Sequence, residues 1–185
     1  KNKYGYQLGI KYYNAFRVSD LLLQLEYNHV RPYVYSHSAP LTNYGHNNQS
    51  IGHQWGGNFK ELIAIARYHK GRYFADAKVT MGTRGLDFDA SENNFNYGGN
   101  IYKDYDENRP FDTDVKVGQG NKTAVFIADF QWGYLVNPAT NLKIFGSYIY
   151  RSFDPAKNTV STFSESTNWL TLGLRADVFN WYFDY

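Results

Sequence analysis

The chain has no cysteine among its 185 residues. That excludes a disulfide scaffold, thiolate metal sites and a cysteine nucleophile. It has no stretch of about 18 consecutive apolar residues, so it holds no transmembrane helix. No secretory leader is visible at Lys1. Charge of one sign is missing too. Lys and Arg number 19 against 17 Asp and Glu, a net +2, which is not the basic footprint of a nucleic-acid-binding domain. The GxSxG and HExxH signatures do not occur, and paired carboxylates appear only in one acidic stretch. The chain therefore reads as non-enzymatic and without a cofactor. Aliphatic bulk is modest, with an apolar fraction of 43% and a mean hydropathy of −0.58. Aromatic rings are plentiful, at 19% of the chain.

Apolar and polar residues alternate with period two, the mark of a half-buried strand. Tyr4 to Tyr13 alternates, with Tyr4, Tyr6, Leu8, Ile10 and Tyr12 on one face. Tyr73 to Gly82, Thr123 to Tyr134 and Trp169 to Val178 do the same, and Asn141 to Arg151 does so more weakly. Two further segments are ambiguous. Leu21 to Asn28 alternates, but Ser19-Asp20 before a leucine-rich run also suits a helix N-cap. KELIAIARYH, at 60–69, alternates while holding good helix formers.

The connections settle the two ambiguous segments. They alternate short and long: 14–20, 69–72 and 136–140 are short, whereas 37–58, 85–120 and 154–167 are long. Long structureless loops are uncommon in compact domains. Short turns on one side and long loops on the other are the pattern of an outer-membrane barrel. Seven strands of about ten residues also match a tilted bilayer crossing. A helix at either ambiguous segment would break the alternation, so both are assigned as strands.

The aromatics and the charges sort accordingly. Rings gather near the short turns (Tyr12, Tyr13, Phe16, Tyr68, Tyr73, Trp132, Tyr134) and in the last residues (Phe179, Trp181, Tyr182, Phe183, Tyr185). A second set, Tyr4, Tyr27, Tyr148, Tyr150 and Trp169, falls near the long loops. Two such girdles are expected of a barrel. One face of the strands carries Lys11, Glu26, Arg67, Asp76, Lys78, Arg84, Asp129, Lys143, Arg175 and Asp177, and the other is nearly free of charge. Charge facing lipid at mid-depth costs about 2–4 kcal/mol. The mixed signs inside suggest cross-strand ion pairing or a filled lumen. A soluble sandwich or barrel with an aromatic core is the competing architecture.

The predicted fold class is all-β, a transmembrane antiparallel β-barrel. Seven is an odd number, whereas barrels of this class have an even number of strands and both termini in the periplasm. An unpaired edge in lipid is not viable. The chain is therefore expected to be a single segment, 1–185, forming the C-terminal portion of a larger barrel.

The loop at 37–58 concentrates amides, imidazoles and rings. Three histidines, His37, His46 and His53, could bind a metal, but their spacing matches no compact ligand motif. Planar amides read hydroxyls and rings stack on sugar faces, so carbohydrate contact is one reading. Amides satisfying the loop's own backbone is the other. The loop at 85–120 is acidic, with Asp87, Asp89, Glu92, Asp104, Asp106, Glu107, Asp112 and Asp114. DFDAS and DYDEN match the opening of a calcium loop, but no downstream Gly and Glu complete it. GQGN at 118–121 lacks the Lys-Ser/Thr of a phosphate loop and reads as a turn entering the next strand.

The stretch RPYVYSHSAPLTNYGHNNQSIGHQWGGNFKE, at 31–61, resembles a loop of Bacteroidota outer-membrane barrels. So do NYGGNIYKDYDENRPFDTDVKVGQGNKT, at 96–123, and the ending LGLRADVFNWYFDY. In these patches of 31–185 the chain is similar to gliding-motility RemB-type proteins, near the Wzi-type capsule-assembly barrels. The Wzi-type resemblance implies a large barrel that binds capsular polysaccharide at the cell surface. It carries onto the loop positions His37, Asn43, Tyr44, His46, Asn47, Gln49, His53, Trp55 and Asn58. The RemB-type resemblance implies association with gliding or secretion machinery. The expected partners are outer-membrane lipid, surface polysaccharide and other envelope proteins, with no nucleic acid. A porin-like channel and an accessory subunit of a larger complex are the competing functions.

Overall fold

In a computed structural model, which describes residues 2–176, the chain is all-β. Its strands are β1 (Gly5–Tyr13), β2 (Leu21–Val30), β3 (Gly45–His46), β4 (Gln49–Ser50), β5 (Phe59–Lys70), β6 (Tyr73–Leu86), β7 (Asn121–Asn137), β8 (Leu142–Pro155) and β9 (Glu165–Arg175). Seven of them form one antiparallel sheet in the order β1-β2-β5-β6-β7-β8-β9. Each strand thus pairs with its neighbour in the chain, and β1 and β9 are the edges. The small hairpin β3–β4 interrupts the loop between β2 and β5. The aromatic ending and the last residues of the predicted final strand, Asp177 and Val178, lie outside the described residues.

Both ambiguous segments are strands. The residues that suggest a helix cap before β2 close a turn instead. Asp20 adopts a left-handed φ of 63°, and its amide donates to Asn14 Oδ1 at 3.0 Å. KELIAIARYH pairs along both sides, with β2 and with β6, so cross-strand bonding overrides its helix propensity.

The strands run further toward the long loops than alternation suggests. β6 reaches Leu86, β8 reaches Pro155, and β9 begins at Glu165. The ladder continues there through pairs such as Phe59–Arg84 and Arg84–Thr123. Period two fades because loops cover the sheet at that end and both faces lose their contrast. The connections are correspondingly 31–58, 87–120 and 156–164. The longer β8 also moves Tyr148 off the long-loop girdle. It shares a row with Phe130 and Leu170, nearer the short turns. Trp169 is displaced as well: it lies opposite Ile149 in the row of Asp129, on the charged face.

Register separates the two faces cleanly. One central row reads Ile10, Leu25, Ala64, Val79, Ala128, Tyr150, Asn168. On this face charge appears only in terminal rows, as Lys60, Lys122 and Asp154 toward the long loops and Lys70 toward the short turns. Among the described residues nothing covers it: Leu172 is 78% exposed and Ile10 67%. The opposite face carries the expected Lys11, Glu26, Arg67, Asp76, Lys78, Arg84, Asp129, Lys143 and Arg175, together with Glu61, Arg151 and Glu165. Arg67 and Asp76 pair across strands at 3.8 Å.

The packed core lies against the charged face at its long-loop end. Val30, Phe59 and Val125 point from the sheet and Trp55 from the loop above, with Val34, Tyr35, Ile127 and Phe153 packed around them. The loops therefore fold back over this face instead of standing away from the sheet.

Candidate functional site

The loop layer is held by buried amides. Asn58 is fully buried. Its Nδ2 donates to the carbonyls of Gly85, Tyr97 and Gln119 at 3.0, 3.1 and 3.0 Å. Its Oδ1 accepts the Gly118 amide at 2.7 Å. One side chain thus ties the first long loop, the end of β6 and both halves of the second loop. Asn121 performs the same service for the third loop, exchanging two hydrogen bonds with the Lys157 backbone. The buried Tyr33 donates its hydroxyl to the Asn96 carbonyl at 2.6 Å, and burial pushes that phenol up to about 12. The first two loops also meet backbone to backbone. A Cβ on Gly57 would lie 2.6 Å from the Gly98 carbonyl, an approach only glycine permits.

The nine positions singled out in the first loop separate into supporting and presented residues. Asn58 and Trp55 are buried and support the layer from beneath. Asn58 is spent on the layer's own backbone, whereas Trp55, beneath the outer surface, lines a hollow within the layer. Asn43 is buried too, its Oδ1 accepting the His37 amide. The His37 ring accepts the Ala39 amide at Nδ1, 3.2 Å away, and stands edge-on to Tyr105. His46 and Gln49 face each other across β3–β4, joined by Asn47-Asn48 at φ 48° and 58°. Two consecutive left-handed residues make the tight hairpin turn that asparagine tolerates. His46, Asn47 and Gln49 are exposed. Tyr44 is 51% exposed and stacks on Tyr35 with ring centres 5.7 Å apart.

His53 is only half-buried and points at the sheet. The Trp55 amide donates to its Nδ1 at 3.1 Å, which leaves the ring proton on Nε2. That proton goes to Glu61 Oε1, 2.7 Å away. Asn28 Nδ2 donates to the same oxygen at 2.8 Å and to Glu26 Oε1 at 2.9 Å. Glu61 and Asn28 escaped sequence reading because their meeting depends on register. They are direct partners across β2 and β5, and strand parity puts them on the charged face.

The three histidines of the loop are not brought together. Among the described residues no group of three or more His, Cys, Asp or Glu is placed to hold a metal. The acids of the second loop are engaged one by one. Asp87 pairs with Lys103 at 2.6 Å, Glu92 with Lys157, Asp106 and Asp112 with Arg109, and Asp114 with Lys116. As the sequence suggests, GQGN makes a turn, with Gly118 and Gly120 at φ 86° and 85° and β7 starting at Asn121.

Asp89 clasps the third loop. Its carboxylate accepts the Ser161 hydroxyl and the Val160 and Ser161 amides. The Ser161 hydroxyl, foremost, and these amides hold the carboxyl below its ordinary value. A lowered folded pKa means the clasp is at full strength above the ordinary carboxylate range and is lost as pH falls through the lowered value. A spin label at Val160, itself 91% exposed, is expected to gain mobility only in that acid range. In Asp89→Ala it should be mobile at neutral pH. A label equally constrained in the variant would refute the clasp.

Several hollows open along the charged face and within the layer. A groove of about 750 Å³ runs along the short-turn half of the charged face, past Arg67, Lys78, Asp129 and Lys143. A pocket of about 450 Å³ lies within the layer, between β3–β4, the second loop and the third. No protein-family model matches the chain, and neither does any curated protein or solved structure compared with it.

Proposed function

We propose that the chain is the C-terminal part of a larger outer-membrane β-barrel, a non-enzymatic protein whose extracellular loops hold surface polysaccharide or anchor an envelope assembly. The observation that carries this reading is the dimension of the charge-free face. On β7 it is bounded by the rows that carry its flanking charges, that of Ala124, with Lys60 and Asp154, and that of Tyr134, with Lys70. Ten residues of strand span about 33 Å. At a tilt of about 40° that is about 25 Å of depth, the height of the apolar band of outer-membrane barrels. Rings border it on both sides. Tyr6 stacks on His29 toward the long loops, with centres 5.0 Å apart, and Tyr73 meets Tyr134 edge-on at 5.0 Å toward the short turns.

The edges of β1 and β9, open among the described residues, support the larger barrel. Unpaired backbone groups in hydrocarbon cost several kcal/mol each, so further strands close the sheet. A porin-like channel is the competing reading. The loops folded across one end of the charged face weigh against it, because an open lumen needs that end clear. The link to capsule assembly or to gliding rests on the sequence resemblance alone.

Thiol labelling tests the topology, since these 185 residues contribute no background cysteine. Single cysteines at Val160, in a long loop, and at Gly71, in a short turn, are introduced into the full-length protein in an outer membrane. A membrane-impermeant maleimide is expected to label Val160→Cys in intact cells and Gly71→Cys only after permeabilisation. Equal labelling of both in intact cells would overturn the orientation, and recovery in the soluble fraction would overturn the barrel.

A further inference from the structure

The pocket inside the loop layer holds a cation with no counter-charge. Arg84, near the end of β6, donates from Nη2 to the Trp55 carbonyl at 3.1 Å. Its guanidinium lies 5.6 Å from the centre of the Trp55 ring. These contacts fix its orientation and leave its charge uncancelled. Among the described residues Arg84 forms no ion pair, since Asp87, which lines the same pocket, is taken by Lys103 at 2.6 Å. Its Nε is buried with no hydrogen-bond partner among the described residues. A buried donor on a charged group, left unpaired, is costly.

A second orphan belongs to the same lining. Ser50, on β4, also lines the pocket, and its Oγ is buried and unpartnered. Two unmet polar groups thus border one hollow, and each comes from a different part of the chain. The rest of the lining mixes amide, hydroxyl and ring groups, Asn48, Thr162 and Tyr102 among them, with the Asp87–Lys103 pair and apolar Leu86 and Ile101. A volume of about 450 Å³ is within the range of small-molecule sites.

We propose that this pocket binds a carboxylated sugar residue of an acidic surface glycan, its carboxylate on the Arg84 guanidinium and a ring hydroxyl on Ser50. The planar guanidinium fork matches a carboxylate and forms charge-assisted hydrogen bonds with it. The amides and hydroxyls suit the remaining sugar oxygens. The proposal rests on the polysaccharide-binding reading and narrows it to one pocket and one charge.

The test is calorimetric titration of the full-length protein in detergent micelles with three probes: tetragalacturonate, a hyaluronan tetrasaccharide and neutral maltotetraose. At least one uronate probe is expected to bind tenfold or more tighter than maltotetraose. Arg84→Gln should erase that preference, bringing the uronate probe down to the affinity of maltotetraose. Ser50→Ala, which disturbs no packing, should weaken the uronate probe by about twofold to tenfold, the loss of one hydrogen bond. If maltotetraose binds as tightly as the uronates, the acidic specificity is wrong while glycan binding stands. If no probe binds, both fall. If Arg84→Gln loses all probes equally and Ser50→Ala loses none, Arg84 serves only to pack the loops and the proposal is overturned.

Discussion

Ala128→Arg is expected to keep the protein from assembling in the membrane, whereas Ala124→Arg, four residues away on the same face of β7, is expected to assemble. Ala128 sits in the central row of the charge-free face, between Val79 and Tyr150. Arginine at mid-depth costs about 2–4 kcal/mol, falling to about 0–1 near the interface. Ala124 belongs to the row that already contains Lys60 and Asp154, about 13 Å along the strand from Ala128. A third variant, Gln131→Arg, reports the opposite face, where Asp76 lies directly across the ladder and can accept the charge. Urea titration of protein refolded into liposomes reads all three. The depth gradient is what discriminates. In a soluble sandwich this face would be covered by a second sheet, and both alanine substitutions would insert charge into a core. Equal losses at 124 and 128 would therefore sink the membrane reading, as would equal tolerance.

The strands were legible because a two-sided sheet writes its environment into every second residue. Where each face has one neighbour, as at Tyr73 to Met81, alternation locates the strand and its inward side. The limits of that signal are physical. Past Gly82 the charged face is roofed by loops, so Arg84 and Leu86 no longer contrast with their neighbours and the strand end is hidden. The two helix-compatible segments could be assigned only through the lengths of their connections, a non-local argument.

In the candidate site, composition singles out the first loop but cannot tell supporting residues from presented ones. Asn47 and Asn58 have the same chemistry and the same left-handed backbone. One turns an exposed hairpin, and the other is buried at the junction of three segments. What separates them is contact with residues 27 to 61 positions away, which no local pattern encodes. Arg84 was readable as an inward charge, but its lack of an acid partner among the described residues was not, because the acid near it is claimed by Lys103.

Asn58→Ala should cost about 3–5 kcal/mol, felt in the loops and not in the sheet. The substitution takes a donor from the carbonyls of Gly85 and Gln119 and the acceptor from the Gly118 amide, while the Tyr97 carbonyl keeps the Gln119 side chain at 2.9 Å. Each unmet buried group costs about 1–3 kcal/mol, reduced where the loop shifts to admit water. Alanine also resists the backbone at this position, where φ is 58°, by about 1–2 kcal/mol. Asn58→Gly removes the backbone part alone and is expected to be milder than alanine. Asn58→Asp separates the donor from the acceptor. It keeps an oxygen for Gly118 but turns a carboxylate toward three carbonyls, so it should be at least as damaging as alanine. Hydrogen exchange locates the damage. Amides of 87–120 should lose protection in the order glycine, alanine, aspartate, while those of β7 and β8 keep theirs, since the Asn58 side chain bonds no residue of either strand. Loss spread evenly over sheet and loops would mean that the layer and the sheet fold as one unit. Loss confined to the loops makes the layer a separable element resting on the charged face, able to loosen over its pocket without opening the sheet beneath.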